Sequence, residues 1–384
     1  MAEVIPVLHV INECDDGSIS RIIERIIRYS DKDKFKWYVC PTRGLLGFEK
    51  NFIMLGAQIV DCSSIKSESS STSQKIRDVI QRKKISIIHS HTPRTIFEIF
   101  RAQKSIHQPN TIHAAHLATK HLLTSPKDRK WGLFYTIYDR LTLYPPDHIV
   151  TVSKTMAKQV KSQPGILSSK ITAIPNAIPV EDFFCPTERE IQRKGLGLTP
   201  EHLVIGFTGR ITKVKNLDIL IHAFANLVPQ FPQLRLALAG EGDLQPFLVE
   251  LTERLRIAQS VIWSGFCSNV PGFLSALDIY VQPSVNEGLS LSILEAMAAE
   301  KPVIATKVGS AEEIIQDGVT GLLVQPGSIE EIEKAVFSLM LDRGLRDHLA
   351  ENGRRHVLNE YNIQKMVDNY CSLYIKLDRT RGLR

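Results

Sequence analysis

The densest group of residues able to do chemistry lies between Pro283 and Met297, in the run PSVNEGLSLSILEAM. Glu287 and Glu295 stand eight residues apart in it. The apolar run Ile279–Gln282 reads as a strand, and the run that follows it opens a helix. That spacing puts Glu287 on the strand-to-helix loop and Glu295 two turns into the helix. Gly288 permits close approach of the backbone to a ligand. The amides of Gly288, Leu289 and Ser290 would face an anion at the helix start, where a diphosphate suits the unpaired N–H groups. Glu295 is flanked by Ile293, Leu294, Ala296 and Met297, and a carboxylate among apolar neighbours calls for a specific partner.

A second group, Gly209-Arg210-Ile211-Thr212-Lys213-Val214-Lys215-Asn216, lies between a strand-like run at Leu203–Thr208 and a helical pattern starting near Asn216. An arginine fork and a lysine point charge at one turn can neutralise a diphosphate. On its own the segment would pass for an ordinary basic loop. Gly240-Glu241-Gly242 follows the run Leu234–Ala239, but Gln245 stands where a dinucleotide fingerprint needs its third glycine. Its mid-chain position also argues against NAD. In the first half, His89 and His91 end a strand-like run, and His113, His116 and His121 follow within a short stretch. Any one of these could equally be a hydrogen-bonded structural histidine.

Short apolar runs alternating with helical patterns must position these groups. The first series takes in Val4–Val10, Trp37–Cys40, Ala57–Val60, Ile85–His89 and Asp147–Val152. The second takes in Leu203–Thr208, Leu234–Ala239, Val261–Ser264, Ile279–Gln282, Pro302–Thr306 and Gly321–Val324. Alternation of this kind predicts parallel sheets covered by helices. The segment AIPNAIPVEDFF (Ala173–Phe184) separates the two series. The fold expected is α/β, with two Rossmann-like domains facing across a cleft.

Together these features resemble the group 1 retaining glycosyltransferases of the GT-B fold. The resemblance spans nearly the whole chain and is densest from Gly206 to Pro326. It rests on the E-x7-E pair Glu287–Glu295, the GR…K pattern of Gly209, Arg210 and Lys215, and the GEG turn. The run KPVIATKVGSAEEIIQDGVTGLLV and the linker Ile174-Pro175-Asn176-Ala177 add to it. The resemblance implies that Arg210 and Lys215 neutralise the diphosphate of a nucleotide-diphospho-sugar, UDP- or GDP-linked. It gives Glu295 the ribose hydroxyls, Glu287 the donor sugar, and Gly209, Gly242, Gly288, Leu289 and Ser290 donor contacts. His116 corresponds to a histidine near the transferred sugar, and Gly17 to a loop where acceptor and donor phosphate meet. That loop departs from the family's Gly-Gly-x-Glu, reading Asp15-Asp16-Gly17-Ser18 here. No metal and no other cofactor is implied.

The expected domains are 1–178 on the acceptor side and 179–360 for the nucleotide sugar. A final helical segment, 361–384, is expected to return to the first domain. The acceptor would be a glycan or a lipid-linked molecule in cell-surface polysaccharide or lipopolysaccharide assembly. Two other readings share the motifs: a sugar-nucleotide epimerase of the same fold, and a non-catalytic protein that binds sugar nucleotides.

Residues 1–180 carry 26 Lys and Arg against 15 Asp and Glu, a balance of +11, while the remainder is at −5. The basic half suits an anionic partner, and we expect peripheral contact with an anionic membrane and none with nucleic acid. Its clusters are Arg82-Lys83-Lys84 and Lys127-Asp128-Arg129-Lys130, the latter beside Trp131, Leu133 and Phe134. Six scattered cysteines without a C-x-x-C pair fit a reducing cytoplasm. The start lacks the basic and apolar regions of a signal peptide.

Overall fold

The computed structural model describes residues 4–63, 71–104, 113–121 and 141–381. The basic cluster at 127–130, with Trp131, Leu133 and Phe134, lies outside the described residues. So do positions 64–70 of the serine-rich stretch. The chain forms two compact units, Met1–Asn176 with Ile363–Arg384, and Ala177–Asn362.

In the first unit the strands are β1 (Ile5–Cys14), β2 (Phe35–Leu45), β3 (Gln58–Ile59), β4 (Ile87–Ser90), β5 (Ala115–Lys120), β6 (His148–Thr151) and β7 (Ile171–Ala173). They form one sheet in the order β3-β2-β1-β4-β5-β6-β7. The second unit holds β8 (Leu203–Thr208), β9 (Leu234–Ala239), β10 (Val261–Gly265), β11 (Ile279–Gln282), β12 (Val303–Thr306) and β13 (Leu322–Val324). Their order is β10-β9-β8-β11-β12-β13. Neighbours run parallel throughout both sheets.

Helices cover both faces, so β4, β6, β11 and β12 are buried along their whole length. A strand without a wet face reads as an unbroken apolar run. Strand order reverses between β1 and β4 and between β8 and β11. Open α/β sheets hold ligands beside the carboxyl ends of strands at such a reversal. The helix Leu217–Leu227 after β8 places Leu217, Leu220, Ile221, Phe224 and Leu227 in the second unit's core. Their three- and four-residue spacing is that of one helix face.

The last helix, Ile363–Arg381, belongs to the first unit and packs on the helix Ser18–Tyr29 and on β4 and β5. Met366, Val367, Tyr370, Leu373, Tyr374 and Leu377 form its buried face. The sheet surface beneath is partly polar. His89 Nδ1 pairs with Tyr374 Oη at 2.7 Å, and His89 Nε2 with Thr119 Oγ1 at 2.6 Å. His9 stacks on Trp37 beside them, with ring centres 5.6 Å apart. Among the described residues, no helix is long and apolar enough to cross a membrane.

Burial holds these imidazoles neutral. It pushes His9 down to about 3 and His116, His121 and His148 down to about 4. His89 and His91 are also held well below the usual histidine value by burial. The unfolded chain binds protons below pH ~6.5 while the folded unit does not, so stability falls as pH drops from there toward 4. Thermal melting from pH 8 to pH 4.5 should show a flat region above pH ~7 and a continuous decline below ~6.5. A profile level down to pH 4.5 would contradict buried neutral histidines.

Candidate active site

In the second unit, the loops leaving the carboxyl ends of β8, β9, β11 and β12 are tied together by their backbones. Gly209 N–H donates to Ala239 O at 3.0 Å and Ile211 N–H to Glu241 O at 2.8 Å, which joins the β8 and β9 loops. A side chain at Gly242 would put its Cβ 2.2 Å from Ile211 O, so that glycine allows two backbones to touch. Val285 N–H donates to Val214 O at 2.9 Å, linking the β8 and β11 loops. Ser310 N–H donates to Gly288 O at 3.1 Å, and a Cβ on Gly309 (φ +58°) would fall 2.0 Å from Glu287 O.

Within that frame Glu287 Oε1 accepts three hydrogen bonds. Lys215 Nζ donates at 2.6 Å, Ser284 Oγ at 2.7 Å and Gln282 Nε2 at 2.9 Å. Lys215 and Glu287 thus form an ion pair in which both side chains are largely shielded. Lys215 ends a single helical turn (Lys213–Lys215), and Asn216 follows in the left-handed region at φ 54°. Arg210 is exposed and has no side-chain partner among the described residues. The helix Leu291–Ala298 begins after Ser290. Glu295 is its fifth residue and therefore lies a little over one turn in, not the two expected, because the loop runs three residues past Glu287. It is buried, at 6% exposure. Gly288, Leu289 and Ser290 are buried ahead of the helix. The β8 and β11 loops carry Gly209, Arg210, Lys215, Glu287 and Gly288, and their strands flank the sheet's reversal point.

In the first unit, Gly17 caps the helix Ser18–Tyr29, and its N–H donates to Asp15 Oδ1 at 3.3 Å. Arg21 grips both oxygens of Asp16 at 2.8 and 3.0 Å. One of the loop's two carboxylates is thereby neutralised by the helix that follows it.

His116 is the second residue of β5, at its amino end. Its backbone N–H donates to Asp147 Oδ2 at 2.9 Å, and its Nε2 pairs with Ser90 Oγ at 2.8 Å. This is the edge of the sheet opposite to the one where ligands bind in such folds. His121 instead follows the carboxyl end of β5, its Nε2 lying 3.2 Å from His91 Nδ1. The sequence reading passed over Gln282, Ser284 and Gly309. A polar pair closing an apolar strand was a usable signal for the first two. Nothing short of the fold would have singled out Gly309.

Because three donors share one carboxylate oxygen, Lys215→Ala should cost about 1–3 kcal/mol of stability, the range for a charged hydrogen bond. Glu287→Gln combined with Lys215→Ala should cost less than the sum of the single changes. Denaturant unfolding of the four proteins measures the coupling, and strict additivity would contradict the ion pair.

The profile of group 1 glycosyl transferases matches residues 188–356, and that of glycosyltransferase family 4 matches residues 38–182. The chain is 29% identical to EpsD of Bacillus subtilis (strain 168), over 79% of its own length and 81% of that protein. It is 26% identical to the capsular polysaccharide biosynthesis glycosyltransferase CapM of Staphylococcus aureus, over 66% of its own length and 67% of that protein. The crystal structure of Anabaena Alr3699/HepE in complex with UDP superimposes with a TM-score of 0.82 at 18% identity. That match covers 97% of this chain and 100% of that one. Two parallel sheets with these strand orders, the loop cluster at the reversal of the second, and both family matches support a group 1 glycosyltransferase of the GT-B fold.

Proposed function

We propose that the enzyme transfers a sugar, with retention of configuration, from a UDP- or GDP-linked donor to a glycan or lipid-linked acceptor. The setting would be cell-surface polysaccharide or lipopolysaccharide synthesis at the cytoplasmic face of a membrane. One observation carries the reading: Lys215 and Glu287 are locked together at the reversal of the second sheet, between exposed Arg210 and buried Glu295. HepE, which shares the fold, has been crystallised with UDP, and CapM is named for capsular polysaccharide biosynthesis.

Glu295 binds the ribose hydroxyls, and Arg210 and Lys215 face the diphosphate. Amides from Gly288 to Ser290 add the partial positive charge of a helix start. As the bond from sugar C1 to the diphosphate oxygen breaks, negative charge grows on the leaving group, where these cations stabilise it. The acceptor hydroxyl attacks C1 from the face the leaving group vacates and passes its proton to the departing diphosphate oxygen. Glu287, held by Lys215, Gln282 and Ser284, is positioned for the sugar hydroxyls. Gly209 and Gly242 let the loop backbones close on the nucleotide. Of the first unit's histidines, His121 takes the sugar-side role in place of His116, because it stands at the carboxyl end of β5. No metal is assigned, since protein cations carry the phosphate charge. The one D-x-D triplet, Asp31-Lys32-Asp33, sits before the start of β2, with Asp31 paired to Lys34 at 2.9 Å.

Incubation with labelled UDP- and GDP-sugars should give transfer or slow hydrolysis. A free epimer, or binding without turnover, would instead indicate one of the two other readings. Arg210→Ala should lower kcat about 10²-fold or more, the scale for losing one stabilising donor of the transition state. Glu295→Ala should mainly weaken nucleoside diphosphate binding, by about 1.5–3 kcal/mol. Chelators should leave the rate unchanged, and strict dependence on a divalent ion would refute the assignment.

The basic balance of residues 1–180 supports docking on anionic lipid. Co-sedimentation with vesicles of phosphatidylglycerol should be strong at low salt and weak at high salt. It should fall when Lys127, Arg129 and Lys130 become Ser. Absence of binding at low salt would leave the basic half as solvated surface.

A further inference from the structure

Three histidines of the first unit form a line from the carboxyl edge of its sheet into the core beneath the last helix. His121 Nε2 lies 3.2 Å from His91 Nδ1, and His91 Nε2 lies 3.0 Å from His9 Nδ1. His9 and His91 are buried, and the far nitrogen of the line, His9 Nε2, is buried without a hydrogen-bond partner. A neutral imidazole has one N–H and one acceptor nitrogen. Each link joins an Nδ1 to an Nε2, so the N–H groups must all point the same way along the line. Two arrangements satisfy both links: every ring protonated on Nδ1, or every ring protonated on Nε2.

The end of the line chooses between them. Protonation on Nε2 throughout would leave the His9 Nε2–H as a buried donor with nothing to bond. Protonation on Nδ1 leaves only an unfilled acceptor there, and orphaned buried N–H groups are the rarer fault. We infer that His91, backed by His9, is a positioning residue that locks His121 as the Nδ1–H tautomer, so that it offers a donor N–H to a hydroxyl of the bound sugar. The sugar contact rests on the reading of His121 given above, whereas the tautomer lock does not depend on it.

The nitrogens of His9, His89 and His91 also lie within 4.8 Å of one another, as a metal site would require. Both nitrogens of His89 are already used, by Tyr374 Oη and Thr119 Oγ1, and both of His91 by the line itself. A cation takes one nitrogen from each ring, so it would have to break at least one hydrogen bond of His89 and one of His91 to be held there. The hydrogen-bonded line is therefore the assignment the geometry favours.

The test is long-range ¹H–¹⁵N correlation of histidine-labelled full-length protein, which reads each ring's tautomer directly. His9, His91 and His121 should all appear as Nδ1–H. His91→Phe removes the donor to His121 Nε2 and should shift His121 toward Nε2–H, with roughly tenfold lower kcat and little change in KM, the scale of one hydrogen bond. His91→Asn, whose amide nitrogen falls near the position of Nδ1, should restore both the tautomer and most of the rate. A merely structural histidine would not show that rescue, since Asn fills the space no better than Phe. Wild-type His121 as Nε2–H, a mixture of tautomers along the line, or a His121 signal indifferent to His91→Phe would each overturn the inference. Stoichiometric zinc retained by the purified protein would also overturn it. If the tautomers follow His91 but His121→Gln transfers sugar at the wild-type rate, the lock stands and only the sugar-side role of His121 fails.

Discussion

The second unit depends on one oxygen atom. Glu287 Oε1 takes hydrogen bonds from Lys215 on the β8 loop, from Gln282 at the end of β11 and from Ser284 just beyond it. These elements leave adjacent strands at the point where the sheet reverses, and the carboxylate adds a side-chain tie to the backbone bond between Val285 and Val214. An ion pair this well shielded is held by geometry as much as by charge. Its cost of desolvation is offset only when the remaining donors are in place. Gln282 is itself fixed through Tyr280, whose Oη lies 2.8 Å from Gln282 Oε1. The network therefore runs from a fully buried tyrosine to the largely shielded lysine, and backbone contacts at Gly242 and Gly309 set the distances around it.

Much of this was legible from spacing. Both α/β series, the loop positions of Arg210, Lys215 and Glu287, and the apolar face of the last helix follow from periodicity. The failures have physical causes. β5 reads AHLATK, and its His, Thr and Lys hide a strand in which Thr119 Oγ1 is bonded to His89 and His116 Nε2 to Ser90. Without that strand, His116 and His121 could not be assigned to its opposite ends. Glu295 was set a turn too deep because counting from Glu287 treats the loop as if it were helix.

The first unit shows a different economy. Its last helix is seated on a surface that includes histidines, a tryptophan and a threonine, not on aliphatic residues alone. Such contacts are directional, and a helix shifted by one residue would strand the Tyr374 and Tyr370 hydroxyls. An aliphatic stripe tolerates slippage, whereas buried polar groups penalise it because each unpaired one loses its hydration without replacement. The register of this helix is thus specified by hydroxyls and imidazoles.

The order of the two units along the chain has a consequence for biosynthesis. Ala177–Asn362 is continuous, so its core needs nothing made after Asn362. The sheet formed by β1 to β7 emerges earlier but must wait for Ile363–Arg381 before its polar surface is covered. At synthesis rates of about 5–20 residues per second, that interval lasts on the order of ten seconds or more. Through it the first unit keeps an uncovered surface of His89, Trp37 and Thr119, the part of the nascent protein open to misassembly.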